Sequence, residues 1–204
     1  MERVEYFETL RDCWSGQLVV CALGDSADGW WEATGSTAYY MHGAMGFAPS
    51  FAIGLALALP DEEVWVLNSD GGLAMNLGGL LTEAATQPPN LLHVVLNNHC
   101  YQSLRGATLV NSDRTDYAGI ARAAGIEHVR EAFTAGELAR EVRSGANLDG
   151  HALVIADVEP RRETDLHALE PAPPLPFEGP EIKYRFGRHV EERTGRSVFG
   201  PRGY

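Results

Sequence analysis

An acid and an amide follow two apolar runs of this sequence and could together bind one ligand. Asp70, with two glycines after it, stands one residue beyond the run 64–68, and Asn97-Asn98 follow the run 91–96. Carboxylate and amide oxygens suit Mg²⁺, which proteins usually hold with one or two oxygens plus the phosphates of a substrate. Each motif alone could be no more than a turn. Together, at the ends of two predicted strands, they favour a site for a magnesium-bound diphosphate.

The elements that must position these residues alternate between apolar strands and helices. Strands that are apolar throughout are typical of a parallel sheet covered on both faces, so we predict an α/β fold, a three-layer sandwich with a mainly parallel sheet. In such a sheet ligands bind beyond the carboxyl ends of the strands, where the loops 24–26, 70–72 and 97–98 would meet. The patterns predict strands at 17–23, 64–68, 91–96, 127–131 and 152–157, and helices at 4–14, 46–59, 73–86, 116–124 and 135–145.

The composition argues against several classes of function. The net charge of −12 leaves no surplus of basic residues to neutralise phosphates, which disfavours a general nucleic-acid binder. The cysteines Cys13, Cys21 and Cys100 form no Cys-x-x-Cys pair, which disfavours an iron–sulfur or structural zinc site. The charged start, Met1 to Glu5, is unlike a signal peptide, and no apolar run approaches the roughly 18 residues of a membrane-spanning helix. We therefore expect a cytoplasmic protein.

The composition changes near residue 159, and we expect the chain to divide into residues 1–158 and an extension, 159–204. The extension contains a Pro-rich stretch at 171–176, which should be extended, and a short helix predicted at 181–193. An apolar stripe runs along this otherwise polar helix, formed by Ile182, Phe186 and Val190. The stripe could pack on this domain's own surface or on a partner subunit, and the sequence leaves both open.

The segment 70–98 resembles the thiamine diphosphate fingerprint, with Asp-Gly, 25 further residues and Asn-Asn. The segments 41–46 (Met-His-Gly-Ala-Met-Gly) and 75–78 (Met-Asn-Leu-Gly) are similar to the diphosphate-binding domain of phosphonopyruvate and sulfopyruvate decarboxylases. The similarity covers roughly residues 15–158. It implies a thiamine diphosphate-binding fold and identifies residues 1–158 as a domain of this type.

Carried over to this sequence, the resemblance implies three protein ligands for Mg²⁺. They are the side chains of Asp70 and Asn98 and the main-chain carbonyl of Cys100. It also implies that the main chain of Gly71 and Gly72 lies against the diphosphate, since glycine permits a close approach. Cys100 stands where glycine is common, and its carbonyl can serve if the loop needs no positive φ at that residue.

Four further residues match cofactor-contacting positions of the family. Gly43 matches the residue whose carbonyl accepts a hydrogen bond from the 4′-amino group of the cofactor. Met45 matches the apolar wedge that bends the cofactor, so that this amino group lies next to the thiazolium carbon. Gly24 and Ser26 match a first-strand loop that commonly contacts the diphosphate. Judged from residue type alone, Met45 could be a core methionine and Ser26 could cap the next turn.

Several positions depart from the pattern or have open roles. Ser69 replaces the first glycine of the fingerprint, and the loop 103–107 differs from that of related decarboxylases near the substrate end of the site. Arg105 could pair there with a substrate carboxylate or be a surface charge. His42 and His99 flank the predicted site and could transfer protons or only form hydrogen bonds. No catalytic residue is assigned.

The resemblance implies a decarboxylase or carboligase that acts on a 2-oxo acid with thiamine diphosphate and Mg²⁺. Such enzymes also need a pyrimidine-binding domain whose glutamate activates the cofactor, and only residues 1–16 precede the first predicted strand here. We therefore expect a separate pyrimidine-binding partner subunit, with two copies of each chain in an α2β2 heterotetramer. Two alternatives stay open, a subunit of an oxidative 2-oxo acid enzyme and a non-catalytic scaffold or regulatory homologue.

Overall fold

The computed structural model describes residues 1–104, 106–146, 150–160, 175–177 and 179–200. The helices are α1 (Arg3–Cys13), α2 (Asp25–Thr34), α3 (Ala48–Ala58), α4 (Asp70–Met75), α5 (Gly79–Thr86), α6 (Tyr117–Ala124), α7 (Ala135–Ala146) and α8 (Gly179–Thr194). The strands are β1 (Leu18–Cys21), β2 (Tyr39–Tyr40), β3 (Val64–Ser69), β4 (Leu91–Asn97), β5 (Cys100–Tyr101), β6 (Ala107–Thr108), β7 (His128–Ala132) and β8 (Ala152–Asp157). Within these described ranges, no helix combines the length and the apolar character needed to cross a membrane.

Six parallel strands form the main sheet, in the order β2-β1-β3-β4-β8-β7. Strands β3 and β4 pair from Val64 opposite Leu91 to Ser69 opposite Leu96, so their carboxyl ends lie side by side. Strands β5 and β6 form a separate antiparallel pair. The predicted α/β fold with a mainly parallel sheet is confirmed.

Helices cover both faces of the sheet, which explains why its central strands are apolar throughout. Trp65 and Leu67 of β3 share one hydrophobic core with α1, α2 and α7, to which Trp30 and Leu138 belong. Val66 points to the opposite face of the same strand and packs with α3 and α8. On that opposite face, residues of β4 and β8 pack with α5 and α6. The result is the expected three-layer sandwich.

Helix α8 packs on this domain's own surface, which answers the question that the sequence left open. Phe186 and Val190 are buried in the core that contains β1 and α3. At the end of the helix, Arg193 forms an ion pair with Glu62 and donates a hydrogen bond to the carbonyl of Gly16. Of the predicted Pro-rich stretch, residues 171–174 lie outside the described part of the chain.

The prediction of a single helix over 73–86 is wrong, because the chain forms α4 and α5 with a break between them. Asn76 ends α4 in a non-helical conformation, and its side-chain amide donates to the carbonyl of Gly46 at 3.0 Å. Helix α2 and the short strand β2 were not predicted. Helix α2 contains Gly29, which weakens its helical propensity, but a side chain at this position would collide with the ring of Phe7. Tertiary packing therefore accounts for that glycine.

Candidate functional site

The ends of β3 and β4 bring the predicted acid and amide into contact. Asp70 is the first residue of α4 and is fully buried, and Asn98 follows β4 and is 3% exposed. The two side chains approach within 3.1 Å. Asn97 faces elsewhere, since its amide donates to the carboxylate of Asp157 at 3.3 Å. Only the second asparagine of the pair therefore reaches Asp70.

Three oxygens converge at this point, and we call them the three-oxygen cluster: Oδ1 of Asp70, Oδ1 of Asn98 and the main-chain carbonyl of Cys100. The Asn98 oxygen lies 3.1 Å from the Asp70 oxygen and 2.9 Å from the Cys100 carbonyl. Two neighbouring ligands of an octahedral Mg²⁺ are about 3.0 Å apart, because each lies about 2.1 Å from the ion at right angles. Without a cation, a rotated Asn98 amide would donate to both other oxygens. The donor set and its spacing fit magnesium.

Burial governs the electrostatics of Asp70. It raises the pKa of this carboxyl to about 6, although hydrogen bonds from main-chain N–H groups act in the opposite direction. Gly71 donates to one carboxylate oxygen at 2.7 Å, and the N–H of His99 donates to the other at 2.6 Å. Within the described ranges, no group of three or more His, Cys, Asp or Glu residues could hold a metal. One carboxylate and two neutral oxygens form a hard donor set that suits magnesium better than zinc.

Ser69 acts as the N-terminal cap of α4, which explains why it can replace the fingerprint glycine. Its φ and ψ are −129° and 161°, an extended conformation open to any residue, and its hydroxyl accepts from the N–H of Gly72 at 3.1 Å. The helix thus begins at Asp70 rather than near residue 73. The N–H of Gly72, predicted to face the diphosphate, has the serine hydroxyl as its partner in this structure.

The glycines beside the site permit two close approaches by the loop that follows Asn98. A Cβ atom on Gly71 would lie 2.7 Å from the ring of Tyr101, and one on Gly24 would lie 2.7 Å from Cβ of Ser103. Gly24 also has a φ of 85°, which favours glycine. The pocket between these segments is lined by Leu23, Asp25, Met45, Ser69, Gly71, Asn98, Cys100, Tyr101, Gln102 and Ser103.

Of the other residues predicted to contact the cofactor, Met45 lines this pocket, and Gly43 and Ser26 do not. Met45 lines it, beside Asn98 and the cysteine. Gly43 is exposed and has a φ of 79°, and Ala44 after it also has a positive φ of 52°. Ser26 is 1% exposed, and its hydroxyl donates to the carbonyl of Asn68 at 3.1 Å. The structure therefore does not bring the Ser26 hydroxyl to the pocket, and Gly24 rather than Ser26 caps α2.

The histidines do not face the pocket. Nε2 of His99 lies 2.9 Å from a carboxylate oxygen of Asp157, so its ring points away from the three-oxygen cluster. The left-handed conformation of this loop falls on His99, whose φ is 61°, so Cys100 needs no positive φ. His42 is exposed and does not line the pocket. Arg105 lies outside the described residues, so its predicted roles stay open.

A buried ion pair behind the pocket was not predicted. Asp25, which lines the pocket, accepts a hydrogen bond from Nε of Arg3 at 2.5 Å, and Nη1 of the same arginine donates to Glu32 at 2.8 Å. The sequence indicated that the loop 24–26 lies near the site. No motif links that loop to Arg3 in the first turn of α1, so the ion pair could not be predicted.

Comparisons with known proteins identify the family to which the chain belongs. Residues 27–156 match the family described as thiamine pyrophosphate enzyme, C-terminal TPP binding domain. The chain is 38% identical over 131 residues to the sulfopyruvate decarboxylase subunit beta of Methanothermobacter thermautotrophicus, which covers 64% of this chain and 70% of that protein. The protein of the same name from Methanococcus maripaludis is 28% identical over 193 residues, covering 94% of this chain and 99% of the relative.

A solved structure extends the comparison to the fold. The thiamine diphosphate-dependent 4-hydroxybenzoylformate decarboxylase of Rhodococcus jostii matches with a TM-score of 0.60 at 22% identity. The match covers 79% of this chain and 33% of that one, so this chain spans about a third of the solved relative. The family match, which spans well over half of the chain, confirms the resemblance drawn from the sequence. The chain belongs to the thiamine pyrophosphate enzyme family and contains its C-terminal TPP-binding domain.

Proposed function

We propose that this chain is the diphosphate-binding subunit of a thiamine diphosphate-dependent decarboxylase that acts on a 2-oxo acid. The observation that carries the proposal is the three-oxygen cluster, because its spacing suits the magnesium ion that accompanies the cofactor diphosphate. Residues 1–158 form the cofactor-binding domain in this proposal. Residues 159–204 form an extension, of which α8 packs against that domain.

The residues of this chain bind and orient the cofactor. Asp70, Asn98 and the carbonyl of Cys100 would hold Mg²⁺, with Asp70 as the one charged ligand among these three and the diphosphate supplying the remaining negative charge. The carbonyl of Gly43 would accept a hydrogen bond from the 4′-amino group, and Met45, which lines the pocket, would support the bent form of the cofactor. When bound, thiamine diphosphate supplies the carbanion that attacks the 2-carbonyl of the substrate and allows CO2 to leave.

A separate partner subunit completes the site in this proposal. The pocket beside the cluster encloses about 10 Å³, whereas pockets that bury a ligand of this size measure roughly 300–1,000 Å³. A second polypeptide that supplies the pyrimidine-binding domain and its glutamate would close the open side. The designation of two relatives as a subunit beta supports this arrangement. We propose two copies of each chain.

The names of the relatives favour decarboxylation over the oxidative alternative, and sulfopyruvate is the first substrate to test. The test is to co-express the chain with its partner and to screen 2-oxo acids, including sulfopyruvate and phosphonopyruvate, for CO2 release. We expect release that depends on both chains, Mg²⁺ and thiamine diphosphate. Added aldehyde acceptors would reveal carboligation, and reduction of an electron acceptor would reveal the oxidative reaction.

Full activity from this chain alone would overturn the shared-site arrangement. An assembled complex that binds neither Mg²⁺ nor thiamine diphosphate would overturn the proposed function and favour a scaffold.

A further inference from the structure

Four polar side chains are buried together beneath α4 and α5, and we call them the histidine network. They are Asn68 of β3, Glu83 of α5, His93 of β4, and His151, which immediately precedes β8. The first three are fully buried and His151 is 3% exposed. None of them belongs to the site described above.

Hydrogen bonds connect the network in one line. Nε2 of His151 lies 2.6 Å from a carboxylate oxygen of Glu83, and Nδ1 of His93 lies 2.9 Å from the same oxygen. On its other side, Nε2 of His93 lies 3.2 Å from the amide nitrogen of Asn68. In this orientation of the Asn68 amide the nitrogen faces His93 and can only donate, which assigns Nε2 of His93 as the acceptor and Nδ1 as the carrier of the proton shared with Glu83.

Stability alone does not explain why such a network occupies the core. Burial by itself would raise the pKa of Glu83, but His93 and His151 outweigh it and lower this pKa to about 2. The carboxylate is therefore charged inside the protein. Replacing buried ionic groups by well-packed apolar residues is often neutral or stabilising, so a charged network here suggests a task beyond stability.

The end of the network lies directly under the turn that carries the magnesium-binding acid. Asn68 precedes Asp70 by two residues, and its side-chain oxygen is so close to Gly72 that a Cβ atom there would lie 2.5 Å away. This oxygen has no hydrogen-bond partner among the described residues. The carbonyl of Asn68 also accepts the hydroxyl of Ser26 from α2. The side chain of Asn68 thus lies against the turn at Gly72, and its main-chain carbonyl connects the same residue to α2.

We propose that Glu83 and His93 are positioning residues for the cofactor site. Glu83 fixes the tautomer and the ring orientation of His93, and His93 fixes the amide of Asn68, on which the Ser69–Gly72 turn rests. The inference rests on the proposed function, because the purpose of this turn is to present Asp70 to Mg²⁺. Groups that orient a metal ligand from behind it typically change metal affinity about 10–100-fold when they are removed.

The test compares two substitutions of His93 in the complex with the partner subunit. His93→Leu removes both hydrogen bonds, whereas His93→Gln can still accept from Asn68 and donate to Glu83. Calorimetric titration with Mg²⁺ and thiamine diphosphate should give a dissociation constant raised about 10-fold or more for His93→Leu. His93→Gln should return it to within about threefold of the unmodified complex.

A matched control separates positioning from general loss of stability. Leu138 is fully buried on the opposite face of the sheet, and Leu138→Ala should lower the thermal midpoint without changing the dissociation constant. If His93→Leu does not fold, Asn68→Ala replaces it, because it removes the amide that links His93 to the turn, with the same expected direction. Cofactor affinity that is equal in all variants would overturn the proposal and leave the network a purely structural element.

A second measurement needs no cofactor and distinguishes this proposal from the proposed function. Amide hydrogen exchange at Gly71 and Gly72 in the ligand-free complex should accelerate in His93→Leu and not in Leu138→Ala. If the unmodified complex binds no cofactor but this exchange pattern is seen, the proposed function fails while the mechanical link to the turn holds. Unchanged exchange in His93→Leu would refute that link directly.

Discussion

Asp70 and Glu83 are both fully buried carboxylates within one domain, yet their surroundings shift their pKa values in opposite directions. Burial raises the pKa of Asp70 to about 6, and its protein partners are mainly neutral N–H groups. Glu83 experiences a similar burial, but two histidines contact it and bring its pKa to about 2. A buried acid whose hydrogen-bond partners are main-chain N–H groups is suited to bind an external cation, whereas an acid held between two histidine side chains already has its partners within the protein.

The largest expected effect is a loss of stability on substitution of Glu83, the acid that is paired with two histidines. Glu83→Gln should lower the free energy of unfolding by about 3–5 kcal/mol at neutral pH, because it removes one partner from a buried charged network. Denaturant unfolding monitored by circular dichroism measures the change. A decrease in the free energy of unfolding below about 1 kcal/mol would mean that the histidines do not stabilise a charged Glu83.

The next largest effect is expected on cofactor binding when Asp70 is substituted. Asp70→Asn should weaken Mg²⁺-dependent binding of thiamine diphosphate by about 100-fold or more, since a direct ligand should matter at least as much as the groups behind it. Without Mg²⁺ the variant should be as stable as the unmodified chain or more so, because a buried charge has been removed. Calorimetry and thermal melts check the two parts. Binding that survives this substitution would remove Asp70 from the site.

The dependence on pH sharpens the comparison further. The folded-state pKa of Glu83, about 2, lies below the ordinary value of 4.5, so its stabilising contribution is present above about pH 4.5 and is lost as the pH falls towards 2. The difference in stability between the unmodified chain and Glu83→Gln should therefore shrink across this window. A difference that stays constant from pH 6 down to pH 2 would contradict the lowered pKa.

The smallest effect should come from a third acid, Glu62, which is paired with Arg193 at the surface. The arginine side chain is 36% exposed, so solvent screens the pair. Arg193→Ala should change the free energy of unfolding by about 0–1 kcal/mol, apart from its hydrogen bond to Gly16. Urea unfolding of Arg193→Ala and Glu83→Gln under the same conditions would compare the contributions of the surface pair and the buried acid to the free energy of unfolding.

Much of the fold could be predicted because the hydrophobic pattern of each short segment indicates its secondary structure. The strands 64–68, 91–96 and 152–157 are apolar throughout, and each agrees with an observed strand to within a residue or two. Helix α2 escaped prediction because its glycine reflects contact with α1 rather than local preference. The break between α4 and α5 escaped it because Asn76 bonds to a carbonyl 30 residues earlier in the chain.

In the candidate site, too, some residues could be predicted from the sequence and others could not. Asp70 and Asn98 were predicted from residue type and spacing, because strand ends that neighbour one another in a parallel sheet are regularly placed, whereas the carbonyl of Cys100 was implied only by the family resemblance. The histidine network was not recognised, since Glu83, His93 and His151 stand in no motif and meet only across α5, β4 and the start of β8. Ser26 was assigned to the ligand from its loop, whereas its rotamer directs the hydroxyl to Asn68.

The amino-acid sequence by itself determined the class of fold and the two strand ends at which the predicted acid and amide meet, because periodicity and local spacing encode them. Only the tertiary structure decided the state of each buried acid. Whether a carboxylate is left uncompensated or is paired with histidines depends on side chains that are distant in the chain and adjacent in space, and in a low-dielectric core such neighbours dominate its charge.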